Sequence, residues 1–384
     1  MFWCHLVAGV TTGLVVIMMS VTGVILTYER QMIVWSDRAY YEGPEPGEHR
    51  QSIDDLAAAA GHTGFQPAAM MIFSDPSAPV AVSAARGMGT IYLSPYSAEM
   101  LGEPEPGLRD FFSTVTGWHR WFNATAAQRT VPRAITGVSN LAFLFLICTG
   151  VYLWLPKILR WPLLRARLSF ENRTGTSKER DFNWHHVFGI WSAVPLFVVI
   201  ATAVVFSYPW ANDLVYRSVG EAVPAGGMGM GMGIAASVAQ EPALRRSGAA
   251  SPVPSDQLPL ETLFSRAATQ VEGWQSIAVQ LPPEGALVVN FTIDRGDGGQ
   301  PQKRHTLALD TKTGDVARWQ PFESLSTGTR ARQWIRRLHT GEALGLVGQG
   351  VAGLVSFTSL IMVWTGLALA YRRLIQPLFK RRRS

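Results

Sequence analysis

The chain has 384 residues, of which 47% are hydrophobic and only 16% charged. Soluble domains carry roughly 25% charged residues, so a single soluble domain is excluded. The net charge of +6 is compatible with a membrane or a nucleic-acid partner, and the placement of the charges decides between them.

Four stretches, 1–28, 134–156, 182–212 and 343–371, contain no Asp, Glu, Lys or Arg. Each reaches the about 20 apolar residues needed to cross a bilayer, which predicts an α-helical four-span bundle. In chain order, residues 1–28 form the first span. They lack a basic n-region and exceed the roughly 7–15 apolar residues of a signal-peptide core, so the helix is read as retained. Residues 29–117 form an external domain, with a helix at 52–60 and strands at 69–73, 79–84 and 89–93 on period-two alternation. Residues 118–156 join a His119 segment to the second span, and 157–181 form a basic loop. The third span covers 182–210. Residues 211–257 form a flexible Met/Gly-rich insertion, and 258–335 a second external domain, with a helix at 258–271 and strands at 276–281, 286–293 and 305–310. Residues 336–373 carry His339 and the fourth span, and 374–384 form a basic tail.

Residues 156–181 hold seven Lys or Arg, and the tail from Arg372 holds six with no acid. Residues 29–118 hold twelve acids against five basic residues. The enrichment of cytoplasmic loops in Lys and Arg places both termini and the 157–181 loop in the cytoplasm and both long segments outside. The basic balance is therefore a topology signal and no nucleic-acid partner is expected. Cys4 and Cys148 lie in or beside spans and give no disulfide framework, and no C-x-x-C-H motif exists for covalent haem attachment.

The spans are ordered as an internal repeat. Thr22-Gly23 follows His5 by 17 residues, and Thr202-Ala203 follows His185 by 17. His119 precedes Thr149-Gly150, and His339 precedes Thr365-Gly366, over longer gaps. The chain reads as two copies of span, external domain, span. His185 lies 180 residues after His5, whereas Thr365 lies 216 after Thr149, so about 36 residues are inserted before the second sheet. The insertion includes Met228, Met230 and Met232. Its composition favours disorder or a flap over a ligand, ahead of thioether binding of copper(I).

Because alternate spans run in opposite directions, His5 and His185 share one membrane level and His119 and His339 the other. A histidine at a span end commonly faces headgroups or water, but the four-fold repetition argues for a site. Two facing imidazoles suffice as axial ligands of a haem, and a helix bundle provides its apolar slot. Structural zinc wants four ligands and catalytic zinc usually three, which neither level offers. Two b-type haems are therefore expected, ligated by His5 with His185 and by His119 with His339. His186, turned by about 100° on the helix, is the alternative to His185. Arg120, Arg133, Arg336 and Arg337 cluster in sequence around the outer histidines and offer partners for propionates or an anionic ligand, or else snorkel to headgroups. Trp118, Trp121, Phe122 and Trp334 read as an aromatic belt.

The segments WHRWF (118–122), WHHVFGIW (184–191), RLHTGEALGLVGQ (337–349), CTGVYLWLP (148–156) and WTGLALAYRR (364–373) resemble the PepSY-associated transmembrane family. The external segments, with YLSPYSAEMLG and LALDTKTGDV, resemble its PepSY domains. The resemblance implies a bacterial inner-membrane protein with two periplasmic α/β PepSY-like domains. It extends to ferric-siderophore reductases of that family, implying a di-haem oxidoreductase that reduces iron(III) of a hydroxamate siderophore such as ferrioxamine B. The chain lacks a G-x-G-x-x-G fingerprint, so a separate, unidentified electron donor is implied. Two other functions fit the same residues: a haem electron-transfer subunit for a quinone or flavoprotein, and a non-enzymatic PepSY protein that binds a peptide or peptidase. Two departures stand out, the doubling of His185 by His186 and Ala203 where the other three motifs have glycine.

Overall fold

The computed structural model describes residues 1–85, 89–156, 160–171, 175–224, 256–283 and 285–381. The Met228–Met232 stretch lies outside them. The chain divides into two compact units, one formed by 1–29, 109–222 and 331–384 and the other by 30–108 and 223–330.

Along the chain the helices are α1 (Phe2–Leu26), α2 (Glu29–Asp37), α3 (Ile53–His62), α4 (Pro106–Trp121), α5 (Thr130–Trp154), α6 (Trp161–Leu168), α7 (Ser177–Ser207), α8 (Pro209–Arg217), α9 (Leu260–Gln270), α10 (Thr327–Thr340), α11 (Gly345–Leu374) and α12 (Gln376–Arg381). The strands are β1 (Pro67–Phe73), β2 (Val80–Ala84), β3 (Thr90–Leu93), β4 (Met100–Gly102), β5 (Ser276–Gln280), β6 (Val288–Asp294), β7 (Arg304–Asp310) and β8 (Val316–Pro321).

In the first unit, α1, α5, α7 and α11 are long and apolar enough to cross a membrane, and the protein is a multi-pass membrane protein. α1 packs on α5 and α11, and α7 on the same two, so α1 and α7 occupy one diagonal of a four-helix bundle. Val16, Phe143, Ile147, Leu196, Ile200 and Val355 fill its centre. Large apolar side chains such as Leu14, Val194 and Val347 point outward, as lipid-facing positions do. A capping box of Thr176 and Glu179 starts α7.

The sequence places His119 and His339 at the heads of the second and fourth spans, but both sit on separate helices. α4 stops at Trp121 because Phe122 and Asn123 adopt positive φ (53° and 55°), and α5 begins afresh at Thr130. α10 stops before Gly341, whose φ of 77° lets the chain turn into α11. The boundary expected at 211 for a flexible insertion falls inside α8, which Pro209 opens at its first turn.

The second unit corrects the expectation of two separate α/β domains. Each segment supplies four strands and one helix that covers the sheet, but all eight strands join in one antiparallel sheet of order β4-β3-β2-β1-β5-β6-β7-β8. The seam is the β1–β5 ladder, where Met70 faces Val279 and Ile72 faces Ile277. Left unpaired, β1 and β5 would each expose a hydrophobic edge, and pairing removes both. α3 and α9 cover one face over a single core that includes Ile53, Leu56, Leu263, Ile277 and Phe291. The two helices also cap each other. The Asp54 carboxylate accepts from the Leu260 and Glu261 amides, and the Glu261 carboxylate accepts from the Ile53 amide. Because both segments share one sheet, they lie on one side of the membrane.

Candidate functional site

The four histidines each rest in a notch on a neighbouring helix, and the notch is the Thr-Gly motif, with Thr202-Ala203 in its place on α7. The His5 ring on α1 meets α5, with Nδ1 2.8 Å from Thr149 Oγ1. The His119 ring on α4 meets α1, with Nδ1 2.9 Å from Thr22 Oγ1. The His185 ring on α7 meets α11, with Nδ1 3.0 Å from the Met362 carbonyl and 3.1 Å from Thr365 Oγ1. The His339 ring on α10 meets α7, with Nδ1 2.9 Å from the Val199 carbonyl and 3.3 Å from Thr202 Oγ1. The residue after each threonine is small because the imidazole lies over it. A Cβ added at Gly150, Gly23 or Gly366 would stand 3.5, 3.6 or 3.2 Å from the Cε1 of His5, His119 or His185.

These contacts fix the two levels anticipated from the sequence. His119 and His339 face each other with ring centroids 6.4 Å apart and planes tilted by 56°. His5 and His185 occupy the corresponding notches on α5 and α11. His186 turns to its own helix instead. Its Nδ1 donates to the Phe182 carbonyl at 2.9 Å, and its ring lies 4.1 Å from that of Phe182. Between the levels lies the apolar centre of the bundle.

The arginines divide. Trp121 carries three guanidiniums over its ring, from Arg120 (4.6 Å), Arg129 (4.2 Å) and Arg133 (5.4 Å). Burial and the like charges of Arg133, Arg336 and Arg129 push Arg120 down to about 10. Such crowding of cations next to His119 favours an anionic group among them. Arg337 is tied to Glu342 in an ion pair and stands apart from the cluster. Trp121, expected in an interfacial belt, is thus a cation–π platform. Arg129 escaped the sequence reading, as did Arg332, whose guanidinium lies 4.6 Å over Phe206, itself edge-on to His339 at 5.5 Å. Neither shows a spacing that marks it in the sequence.

The donor set suits an iron macrocycle better than a bare ion. Among the described residues no group of three or more His, Cys, Asp or Glu is placed to hold a metal. Two imidazoles bound to one metal from opposite sides, with bonds of about 2 Å, set their centroids roughly 6 Å apart, close to the second-level spacing. No hydrogen bond among the described residues engages Nε2 of any of the four rings. His119 and His339 could hold a metal centre between them, and His5 and His185 present the same free Nε2 from matching notches.

From residue 2 to 373 the chain matches the model of the PepSY-associated TM region. The chain belongs to this family. Comparison with curated proteins finds no match. In this PepSY-associated protein the sheet unit has its own concavity, a cavity of about 420 Å³ at the β1–β5 seam. Phe73, Tyr96 and Trp274 line it with Asp75 and Arg50.

Proposed function

We propose that this protein is a di-haem oxidoreductase of the bacterial inner membrane that reduces siderophore-bound iron(III) in the periplasm. The observation that carries the reading is the facing pair His119 and His339 beside the arginine cluster, with a second pair at the far end of the same bundle. Bound haem supplies a one-electron carrier at each level. The chain's own residues hold each imidazole by Nδ1 and leave Nε2 for the iron. Arg120, Arg133 and Arg336 offer counter-charge to propionates or to an anionic ligand. The apolar centre excludes water between the levels. The matching order of notches supports a duplicated ancestry in which each half carries one histidine and one notch per span. Iron(II) binds hard oxygen chelates less strongly than iron(III), so reduction would free the metal for uptake.

A pyridine haemochrome assay on the wild type and on His5→Ala, His119→Ala, His185→Ala and His339→Ala tests the sites. Two haems in the wild type, with the first and third variants losing one and the other two losing the second, is the expected pattern. Mixing dithionite-reduced protein with ferrioxamine B tests the acceptor. A protein that stays reduced would instead be an electron-transfer subunit for another acceptor.

The seam cavity favours a second reading, in which the sheet unit binds a peptide. Phe73, Tyr96 and Trp274 offer apolar and stacking surface, and Arg50 offers a guanidinium for a carboxylate. Purified protein without haem that binds peptides, and loses binding in Trp274→Ala, would support this reading over the first.

A further inference from the structure

The four threonines do more than pack. Each Thr hydroxyl donates into its own helix, to the carbonyls four and three residues before it: Thr22 to Met18 and Met19 at 2.7 and 3.0 Å, Thr149 to Phe145 and Leu146 at 2.8 and 3.3 Å, Thr202 to Val198 and Val199 at 2.8 and 2.7 Å, and Thr365 to Ile361 and Met362 at 2.7 and 3.1 Å. With its hydrogen committed there, the hydroxyl oxygen is left as an acceptor. The imidazole nitrogen that faces it must then carry the proton. The Met362 and Val199 carbonyls, which accept only, impose the same choice on His185 and His339. Each of these carbonyls belongs to the residue three before its threonine and four before the small residue that follows it. Glycine or alanine there leaves the carbonyl open to the ring.

We infer that Thr22, Thr149, Thr202 and Thr365 are positioning residues that lock the proton on Nδ1 of His119, His5, His339 and His185, so that Nε2 is the basic, metal-facing nitrogen of every ring. The inference rests on the haem reading for its consequence, but the tautomer itself belongs to the protein. A hydrogen bond from the distal ring nitrogen orients a ligating histidine and raises its basicity. Ala203 makes one notch different. It replaces glycine beneath His339, where the bond to the threonine is the longest of the four at 3.3 Å and the Val199 carbonyl at 2.9 Å is the nearer acceptor. His185 also lies nearer its carbonyl, at 3.0 against 3.1 Å, so what sets His339 apart is the weaker threonine contact, and its level is expected to differ electronically from one built on two glycine notches.

Two measurements test this. In haem-free protein, nitrogen NMR of the histidine rings reads the tautomer directly: Nδ1–H is expected at all four positions, and Nε2–H at any of them overturns the assignment whatever the fate of the haem reading. In the purified protein with its haems, Thr149→Val removes the acceptor while keeping the shape, and Thr149→Ser keeps it. The valine variant is expected to retain the first-level haem about 10–100-fold more weakly, and to shift the midpoint potential of that haem upward with the other unchanged. The serine variant is expected to restore both. Ala203→Gly is expected to move only the potential of the second-level haem. Unchanged potentials in Thr149→Val and in Ala203→Gly, with both haems bound, would refute the tuning role. Absence of haem from the wild type would refute the haem reading and leave the tautomer result standing.

Discussion

Asp181 offers a sharp test of how the bundle is held. Its side chain is only 2% exposed and lies one turn before His185 on α7. One oxygen meets Arg372 Nη1 of α11 at 2.6 Å, and the other meets Arg180 Nη2 at 2.8 Å. The carboxylate stands near the start of α7 and Arg372 in the last turn of α11, where each charge also suits the helix dipole. A unit pair about 4 Å apart attracts by about 4 kcal/mol at an effective dielectric of 20. Removing one member of a buried pair costs about 3–5 kcal/mol, because the remaining charge is stranded. Arg372 and Arg180 keep 23% and 47% of their exposure, so water recovers part of that loss. Asp181→Asn is expected to destabilise the bundle by about 2–3 kcal/mol once this screening is included. Denaturant unfolding in micelles of the wild type, Asp181→Asn, Arg372→Gln and the double variant gives the coupling, expected at about 1.5–2.5 kcal/mol. Additivity within roughly 0.5 kcal/mol would refute the argument that this pair ties α7 to α11.

Gly341→Ala is expected to disrupt the His339 level alone, because φ is 77° there and an added Cβ would collide with the Gly348 carbonyl. On the proposed di-haem reading, haem content falls from two per chain to one with the first-level spectrum retained, and full occupancy in this variant would contradict the close approach. In the sheet unit, His305 stacks on Trp319 with centroids 5.4 Å apart, and its buried Nδ1 has no hydrogen-bond partner among the described residues. Burial lowers its pKa, so the fold holds the ring neutral. That stabilisation is fully present above the unfolded value of about 6.5 and is lost as pH falls below it towards the folded value. His305→Gln is expected to flatten the pH dependence of unfolding in that window, and parallel profiles for variant and wild type would sink the assignment.

The spans, most strands and the two histidine levels are legible in the sequence because each is a local pattern: an uncharged run, a period-two alternation or a repeated gap. The partner of each Thr-Gly motif is not. The 17 residues between His5 and Thr22 measure a helix of about 25 Å, so the two never meet, and each finds its partner on another helix. Helix adjacency is a property of the assembled bundle that no single span encodes. The same holds for the seam. Ile72 and Ile277 read as ordinary core positions of their own strands, and nothing local says that one faces the other. The polar stretch 120–133 with Pro132 signals a fresh helix start, which α5 makes at Thr130, but nothing marks where α4 stops, because the positive φ falls on Phe122 and Asn123 without a glycine. The role of Trp121 was hidden too, since Arg129 reaches the ring from outside the cluster suggested by spacing.

The β1–β5 ladder also sets an order of events during synthesis. β1 is complete at Phe73, but its partner begins only at Ser276, after three spans have entered the membrane. At about 5–20 residues per second the wait is roughly 10–40 s. Throughout it the strand PAAMMIF presents an open, apolar edge of the kind that recruits stray strands. The helix α3 carries its own Ser52 cap, but its Ile53 amide gains a partner only when Glu261 arrives. Half of the sheet is thus a template that matures only when the second half arrives. A chain stopped before Ser276 would leave that edge to a chaperone, a protease or an aggregate.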